Sequence, residues 1–244
     1  MVKRIDFSTL MASSVHDMKN ILAAVSQAYE SLLAQMPLEL QQSAAVQLIE
    51  QEGLRLNAML VQLLGIYKLE HGQLQLQGSY FRLDELFEEL QQRHAGLLKY
   101  RGIRFEVELA DPDLEGFFDY SLMVTVLDNA LGNALTHCRS SIRLHAEERD
   151  GAVLLSLCDD GPGFPQALLG PVRERAASGI DHQSGSTGLG LHFAASIIAM
   201  HDQPERPAAL ELCNGGRLPG ACLKISLPLP SLFQDGTSGL PLFE

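Results

Sequence analysis

The stretch Cys158-Asp159-Asp160-Gly161-Pro162-Gly163-Phe164 follows an apolar alternation at Val153, Leu155 and Leu157, so it ends a strand in a glycine turn. An aspartate behind an apolar strand can accept a hydrogen bond from an adenine amine, and Gly161 and Gly163 let the backbone pass a planar base without side-chain clash. Downstream, Gly185-Ser186-Thr187-Gly188-Leu189-Gly190-Leu191 leads into a helix, where Gly188 and Gly190 expose N–H groups to phosphate beside a positive helix terminus. Upstream, Asn129 and Asn133 stand four residues apart, one above the other on a helix, with Asp128 adjoining. Two amide oxygens on one face suit a hydrated Mg²⁺ that bridges phosphates. Together these parts describe a nucleotide pocket. It is not built on either common phosphate loop: no GxxxxGK followed by Ser or Thr occurs, and no GxGxxG opens a helix after a strand with an acid about twenty residues on.

In chain order, DNALGNALTH (128–137), DDGPGF (159–164) and STGLGL (186–191) resemble the N, G1 and G2 boxes of the GHKL ATP-binding fold. Within that superfamily, Val15-His16-Asp17-Met18-Lys19-Asn20 points to the histidine kinases of two-component signalling. The resemblance runs from about Ser8 to Leu229. It implies an α/β sandwich that binds ATP and Mg²⁺. By the same likeness His16 is the phosphoacceptor, Asp17 assists it, and Asn20 helps position water for dephosphorylating a partner. Asn133 is then the metal ligand with Asn129 in support, Asp159 binds the adenine N6 amine, and Gly161, Gly163, Thr187, Gly188, Leu189, Gly190 and Leu191 line the nucleotide. An aspartate on a response-regulator receiver is the implied acceptor of the phosphoryl group. Three features depart from the family pattern. Thr136 stands where a basic residue is frequent, leaving His137 or Arg139 to substitute; Ser186 stands where glycine is frequent; and about twenty residues, including Arg173 and Arg175, separate the glycine boxes, which predicts a short lid.

The residues of the N-terminal motif support that chemistry on their own terms. His16 directly follows the apolar seam residue Val15 and so points away from a bundle centre, with Asn20 one turn along the same face. An exposed imidazole can attack the γ-phosphorus of ATP, and Asp17 can accept or orient the ring proton. An isolated His-Asp pair reads as a solvated surface pair; the three boxes downstream are what give this one a role.

The seam comprises Met11, Val15, Met18, Leu22, Val25, Tyr29 and Leu32, in alternating steps of four and three. Pro37 interrupts it, and Ala45, Ile49, Leu56, Met59, Leu63 and Ile66 continue nearly the same repeat to about Glu70, before a stop at His71-Gly72. Two helices cannot enclose their own seam, so a pair of hairpins forming a four-helix bundle, and hence a homodimer, is expected. Beyond Gly72, strand-like alternations at 103–109, 142–146, 153–157 and 223–227 are interspersed with helices near 84–99, 120–137 and 188–201. The expected class is α+β: a helical hairpin over 1–72 for dimerisation and phosphotransfer, an ATP-binding α/β sandwich with helices on one sheet face over 73–229, and a tail over 230–244.

A length of 244 residues with 46% hydrophobic content is ample for buried cores. The net charge of −12 and the scatter of basic residues argue against nucleic acid and anionic lipid as partners. No run of about eighteen apolar residues appears, and Asp6 interrupts any signal-peptide core, so a soluble cytoplasmic protein without membrane insertion is expected. Only about fifteen residues precede His16, which leaves the signal to a separate sensor partner. The four cysteines form no CxxC pair and sit in apolar segments, so free buried thiols and no disulfide are expected. His192, His201 and Cys213 lack paired zinc-ligand spacing. The function these readings converge on is a histidine kinase core, with possible action also as a receiver phosphatase. The alternative is a non-catalytic dimer that docks receivers or other kinases, or takes phosphate at His16, without productive use of ATP.

Overall fold

The structure is a computed structural model that describes residues 7–41, 43–173, 189–204 and 206–230; within the first three helices the side chains of residues 7–16 and a few others are not described. The chain starts as a helical hairpin. Helix α1 (Phe7–Leu33) ends ahead of Pro37, a single turn α2 (Leu38–Gln41) carries the chain over, and α3 (Ala44–Glu70) returns. Ser43 starts α3 by accepting the Val46 N–H on its hydroxyl, and Gly72, at φ 63°, follows its end. The Tyr29 hydroxyl donates to the Val46 carbonyl at 2.6 Å and sets the level at which the two long helices face each other. Met18, Ile21 and Val25 of α1 and Leu48, Ile49 and Leu56 of α3 remain exposed.

The remainder is β1 (Ser79–Arg82), α4 (Leu83–Arg101), β2 (Arg104–Leu109), β3 (Glu115–Phe118), α5 (Tyr120–His137), β4 (Ser141–Arg149), β5 (Ala152–Asp159), β6 (Gly170–Pro171), α6 (Leu189–Met200), β7 (Ala209–Asn214) and β8 (Ala221–Pro228). Six strands form one sheet in the order β2-β4-β5-β8-β7-β6; β2 and β4 are parallel, the other neighbours antiparallel, and β1 pairs β3 separately. The strands and helices read from the alternation are present, while β1, β3, β6 and β7 lacked a clear pattern: they are short or carry one or two buried side chains each. Register aligns Leu144, Leu157 and Leu223 in one row and Ala146, Leu155 and Ile225 in the next, all buried. Against these rows pack Leu127, Leu131 and Leu135 of α5, Leu86, Phe87 and Leu90 of α4, and Ile197 and Ile198 of α6. Each such side chain contributes roughly 1.5–3 kcal/mol on burial.

Asp119 joins three elements at one corner of this core. Its Oδ1 accepts the Leu122 N–H and so caps α5, its Oδ2 accepts the Gln77 N–H, and its own N–H donates to Nε2 of His201 at the end of α6. His201 Nδ1 in turn donates to the Ile197 carbonyl.

One expectation is overturned. Cys158 and Cys222 are joined in a disulfide, and the free cysteines are Cys138, which is buried, and Cys213, which is partly exposed. The pairing of β5 with β8 sets Cys158 opposite Cys222, across a sequence separation of 64, where no local spacing could signal it. Denatured protein kept from reductant is therefore expected to titrate two thiols, and four after reduction.

Burial pushes the His201 imidazole below its ordinary value, against the opposing pull of the Ile197 carbonyl and of Asp119. A lowered folded value means that the unfolded chain binds the proton more readily, so stability is complete above about pH 6.5 and declines as pH falls toward the folded value. Urea midpoints measured from pH 7.5 to 5.5 are expected to fall more steeply for the wild type than for His201→Gln; parallel curves would show that His201 is not the titrating group.

Candidate functional site

Asp159 is the last residue of β5 and lies in register with the buried Ile142, so its side chain belongs to the helix-facing layer. Its Oδ1 accepts N–H groups from Gly161 at 2.7 Å and Ala221 at 3.2 Å, and its carbonyl accepts the Gly220 N–H. Burial raises its carboxyl, and the two N–H donors oppose that rise. Among the described residues Oδ2 meets no donor, and it can accept one such as an amino group. A side chain at Gly161 would come within 2.5 Å of the His137 carbonyl, and one at Gly220 equally close to Asp159 Oδ1, so both glycines are needed for backbone to lie against this carboxylate. Gly163, at φ 85°, turns the chain onward. Asn214 then holds the turn, accepting the Phe164 N–H on Oδ1 at 2.6 Å and donating from Nδ2 to the Phe164 carbonyl.

Asp160 points the other way and anchors the turn to the end of α5. It accepts the Arg139 and Ser140 N–H groups and the Ser140 hydroxyl. Desolvation opposes its ionisation, but these donors outweigh it and hold the carboxyl well below its usual range. Asp160→Ala is expected to cost about 1–3 kcal/mol in urea unfolding at pH 7. A depressed folded value gives stability that is present above the ordinary carboxylate range and lost as pH falls through the folded value, so this difference shrinks in acid.

Asn129 and Asn133 lie on one face of α5, the first half-buried and the second exposed. A Cβ at Gly190, in the first turn of α6, would meet the Asn129 amide at 2.6 Å, which brings the N-helix and the second glycine box together. Leu189, Gly190 and Leu191 open α6, whereas Ser186, Thr187, Gly188 and Arg175 lie outside the described residues. Thr136 donates its hydroxyl back to the Gly132 carbonyl. Asp128 takes no part beside the asparagines: it pairs with Arg93 and with His94 Nε2. One turn along α5 from the contact between Asn129 and Gly190, the exposed Asn133 amide offers an oxygen donor that fits a Mg²⁺-bearing nucleotide.

The hairpin reaches this site. Gln62 of α3 is buried and donates from Nε2 to Asn129 Oδ1 at 2.9 Å, and a Cβ at Gly65 would overlap the Phe193 ring of α6, so glycine is what lets the two helices approach. Neither contact, nor the roles of Asn214 and Asp160, was legible from spacing; the Asp159-Asp160 doublet was the one available sign. Between α3, α4 and α5 lies a cavity of about 590 Å³, walled on one side by Asn129, Asn133 and Thr136 and on the other by Arg55, Ala58 and Gln62. The His16 backbone belongs to α1, but its side chain is among those not described; Asp17 and Asn20 are exposed on the same helix. Among the described residues, no cluster of three His, Cys, Asp or Glu could hold a metal, and no helix is long and apolar enough to cross a membrane.

A helix-backed mixed sheet with paired asparagines, a strand-end aspartate and glycine turns, docked on a helical hairpin, defines an ATP-binding protein of the GHKL class. Residues 118–231 match the family of histidine kinase-, DNA gyrase B- and HSP90-like ATPases. The sensor histidine kinase component HK1 of Mycobacterium tuberculosis is 34% identical over 122 residues, which are 50% of this chain and 69% of that protein. The alginate biosynthesis sensor protein KinB of Pseudomonas aeruginosa is 26% identical over 200 residues, 80% of this chain; the chain spans about a third of KinB's length. The histidine kinase AdeS of Acinetobacter baumannii shares the fold, with a TM-score of 0.58 at 16% identity over 88% of this chain and 98% of that one. The chain belongs to the two-component sensor histidine kinases.

Proposed function

We propose that the chain phosphorylates its own His16 from Mg-ATP and passes the phosphoryl group to an aspartate of a receiver partner. The observation that supports this most is a match of levels. Tyr29 faces Val46; His16 lies thirteen residues before the one and Met59 thirteen after the other, so at equal helical rise His16 stands level with Met59. The cavity lined by Asn129 and Asn133 is lined on the hairpin side by Ala58 and Gln62, on either side of that level. In this reading 1–72 is the dimerisation and phosphoacceptor hairpin, 73–229 the ATP-binding unit and 230–244 a tail. The exposed apolar side chains of α1 and α3 supply the seam for a second hairpin.

Asp159 receives the adenine amine on its remaining oxygen, and the turns at Gly161 and Gly190 admit the nucleotide. Bound at Asn133, Mg²⁺ supplies charge neutralisation on the triphosphate. The His16 imidazole nitrogen forms the new bond to the γ-phosphorus as the bond from that phosphorus to the β–γ bridging oxygen breaks; ADP leaves, and Asp17 or water takes the ring proton. Asn20, one turn along, orients water in this reading for the task of dephosphorylating a receiver.

The second reading, a binding or phosphotransfer module, finds support in Gln62 occupying Asn129 and in Thr136 turning its hydroxyl onto its own helix. Incubation with Mg²⁺ and γ-labelled ATP separates the two. Acid-labile label on the wild type, lost in both His16→Gln and Asn133→Ala, is the expected result. A folded dimer that takes no label would favour the second reading, with receiver dephosphorylation and its dependence on Asn20 as the measurement to follow.

A further inference from the structure

We infer that Arg55, on hairpin helix α3, supplies the positive charge that holds the γ-phosphate, in place of the basic side chain that α5 lacks at Thr136. This rests on the nucleotide reading above and assigns a residue from the hairpin to the nucleotide's own binding site. A Mg²⁺-bound triphosphate still carries net negative charge, and α5 offers it an amide at Asn133 and, at Thr136, a hydroxyl already given to the Gly132 carbonyl. Cationic help must come from elsewhere. His137 and Arg139 do not line the cavity, and Arg173 is bound to Asp202 at 2.8 Å.

Among the described residues, the basic side chains that do line the cavity are Arg55, Arg93 and His94. Two of these are committed to carboxylates. Arg93 bridges Glu89 and Asp128, and His94 Nε2 sits 3.0 Å from Asp128. Arg55 has a 3.6 Å pair with Glu52 in which both side chains are largely exposed. An exposed pair of this kind contributes little, so a phosphate oxygen competes with it on favourable terms, and guanidinium matches phosphate in a bidentate fork. Position agrees with charge: Arg55 lies four residues, about 6 Å of helical rise, from Met59 and therefore from the level of His16. In the structure the guanidinium leans the other way, toward Glu52; released from that weak pair, the side chain is long enough to swing across the interval, which brings the charge to the end of the nucleotide where transfer occurs and leaves the adenine end to Asp159. A triphosphate then bridges hairpin and ATP-binding unit, whereas a diphosphate, lacking the γ-group, does not.

The test is binding of Mg²⁺ with a non-hydrolysable ATP analogue, and separately of Mg-ADP, to the full chain by calorimetry. The variants are Arg55→Gln and the double variant Arg55→Gln with Thr136→Lys. Arg55→Gln is expected to raise the Kd for the triphosphate about tenfold, the loss of one charge-assisted contact, while the Kd for ADP stays within about twofold. Thr136→Lys in the same chain is expected to restore most of the lost affinity, which also shows that the variant is folded. Equal triphosphate affinities for wild type and Arg55→Gln, or parallel losses for ATP analogue and ADP, would overturn the role of Arg55 and leave the nucleotide reading standing. A wild type that binds neither nucleotide would overturn both.

Discussion

The hydrogen bonds of Asp119 and His201 are the constraint on which the site's geometry rests. One carboxylate caps α5 and holds the segment before β1, and one imidazole at the end of α6 receives the Asp119 N–H. The asparagines ride on α5 and the second glycine box opens α6, so the distance between them follows from how these two helices are tied. Hydrophobic packing alone tolerates sliding of one helix along another, because apolar contact is not directional. Directed hydrogen bonds among buried groups do not, since a broken one leaves an unsatisfied polar atom away from water. Neutral His201 is part of that tie, and acid is where it weakens.

A second constraint comes from the hairpin. Gln62 and Gly65 lie about one turn apart on α3, and each addresses a different helix of the ATP-binding unit: Gln62 the Asn129 amide on α5, Gly65 the Phe193 ring on α6. The arrangement joins the two halves of the chain through residues of the candidate site. An amide that hydrogen-bonds the hairpin is not free in the same geometry to serve a metal or phosphate, so in the proposed reading nucleotide entry and hairpin contact are linked through Asn129. Directly beside it, in the cavity between α3, α4 and α5, Arg93 answers Glu89 and Asp128 and His94 Nε2 meets Asp128, which leaves Arg55 in the weakest ion pair among the described residues that line it.

Much of this fold was legible in the chain because its signals are local. The seam from Met18 to Leu32 reports a helix through its period, Gly72 follows the end of α3 at φ 63° as a helix-stopping glycine does, and the alternation at Val153, Leu155 and Leu157 reports β5. The candidate site was legible for a related reason. Asn129 and Asn133 carry their spacing within one helix, and Asp159, Gly161 and Gly163 within one turn. The short strands β3 and β7 were not, since a strand of four to six residues with one or two buried side chains has too little period to read.

What the sequence by itself determined, then, is the order and kind of the long elements and the residues each carries: a His-Asp-Asn motif on the first helix, a paired-asparagine helix and two glycine turns. What the tertiary structure alone decided is which residues meet across large separations. Cys158 against Cys222, Asp119 against His201 and Gln62 against Asn129 depend on strand register and helix packing, and the free thiols expected from spacing became a disulfide for that reason. Local pattern encodes the faces of helices and strands through short-range periodicity. Partners brought together by chain closure leave no mark in that periodicity, because their meeting is set by the summed packing of the whole core.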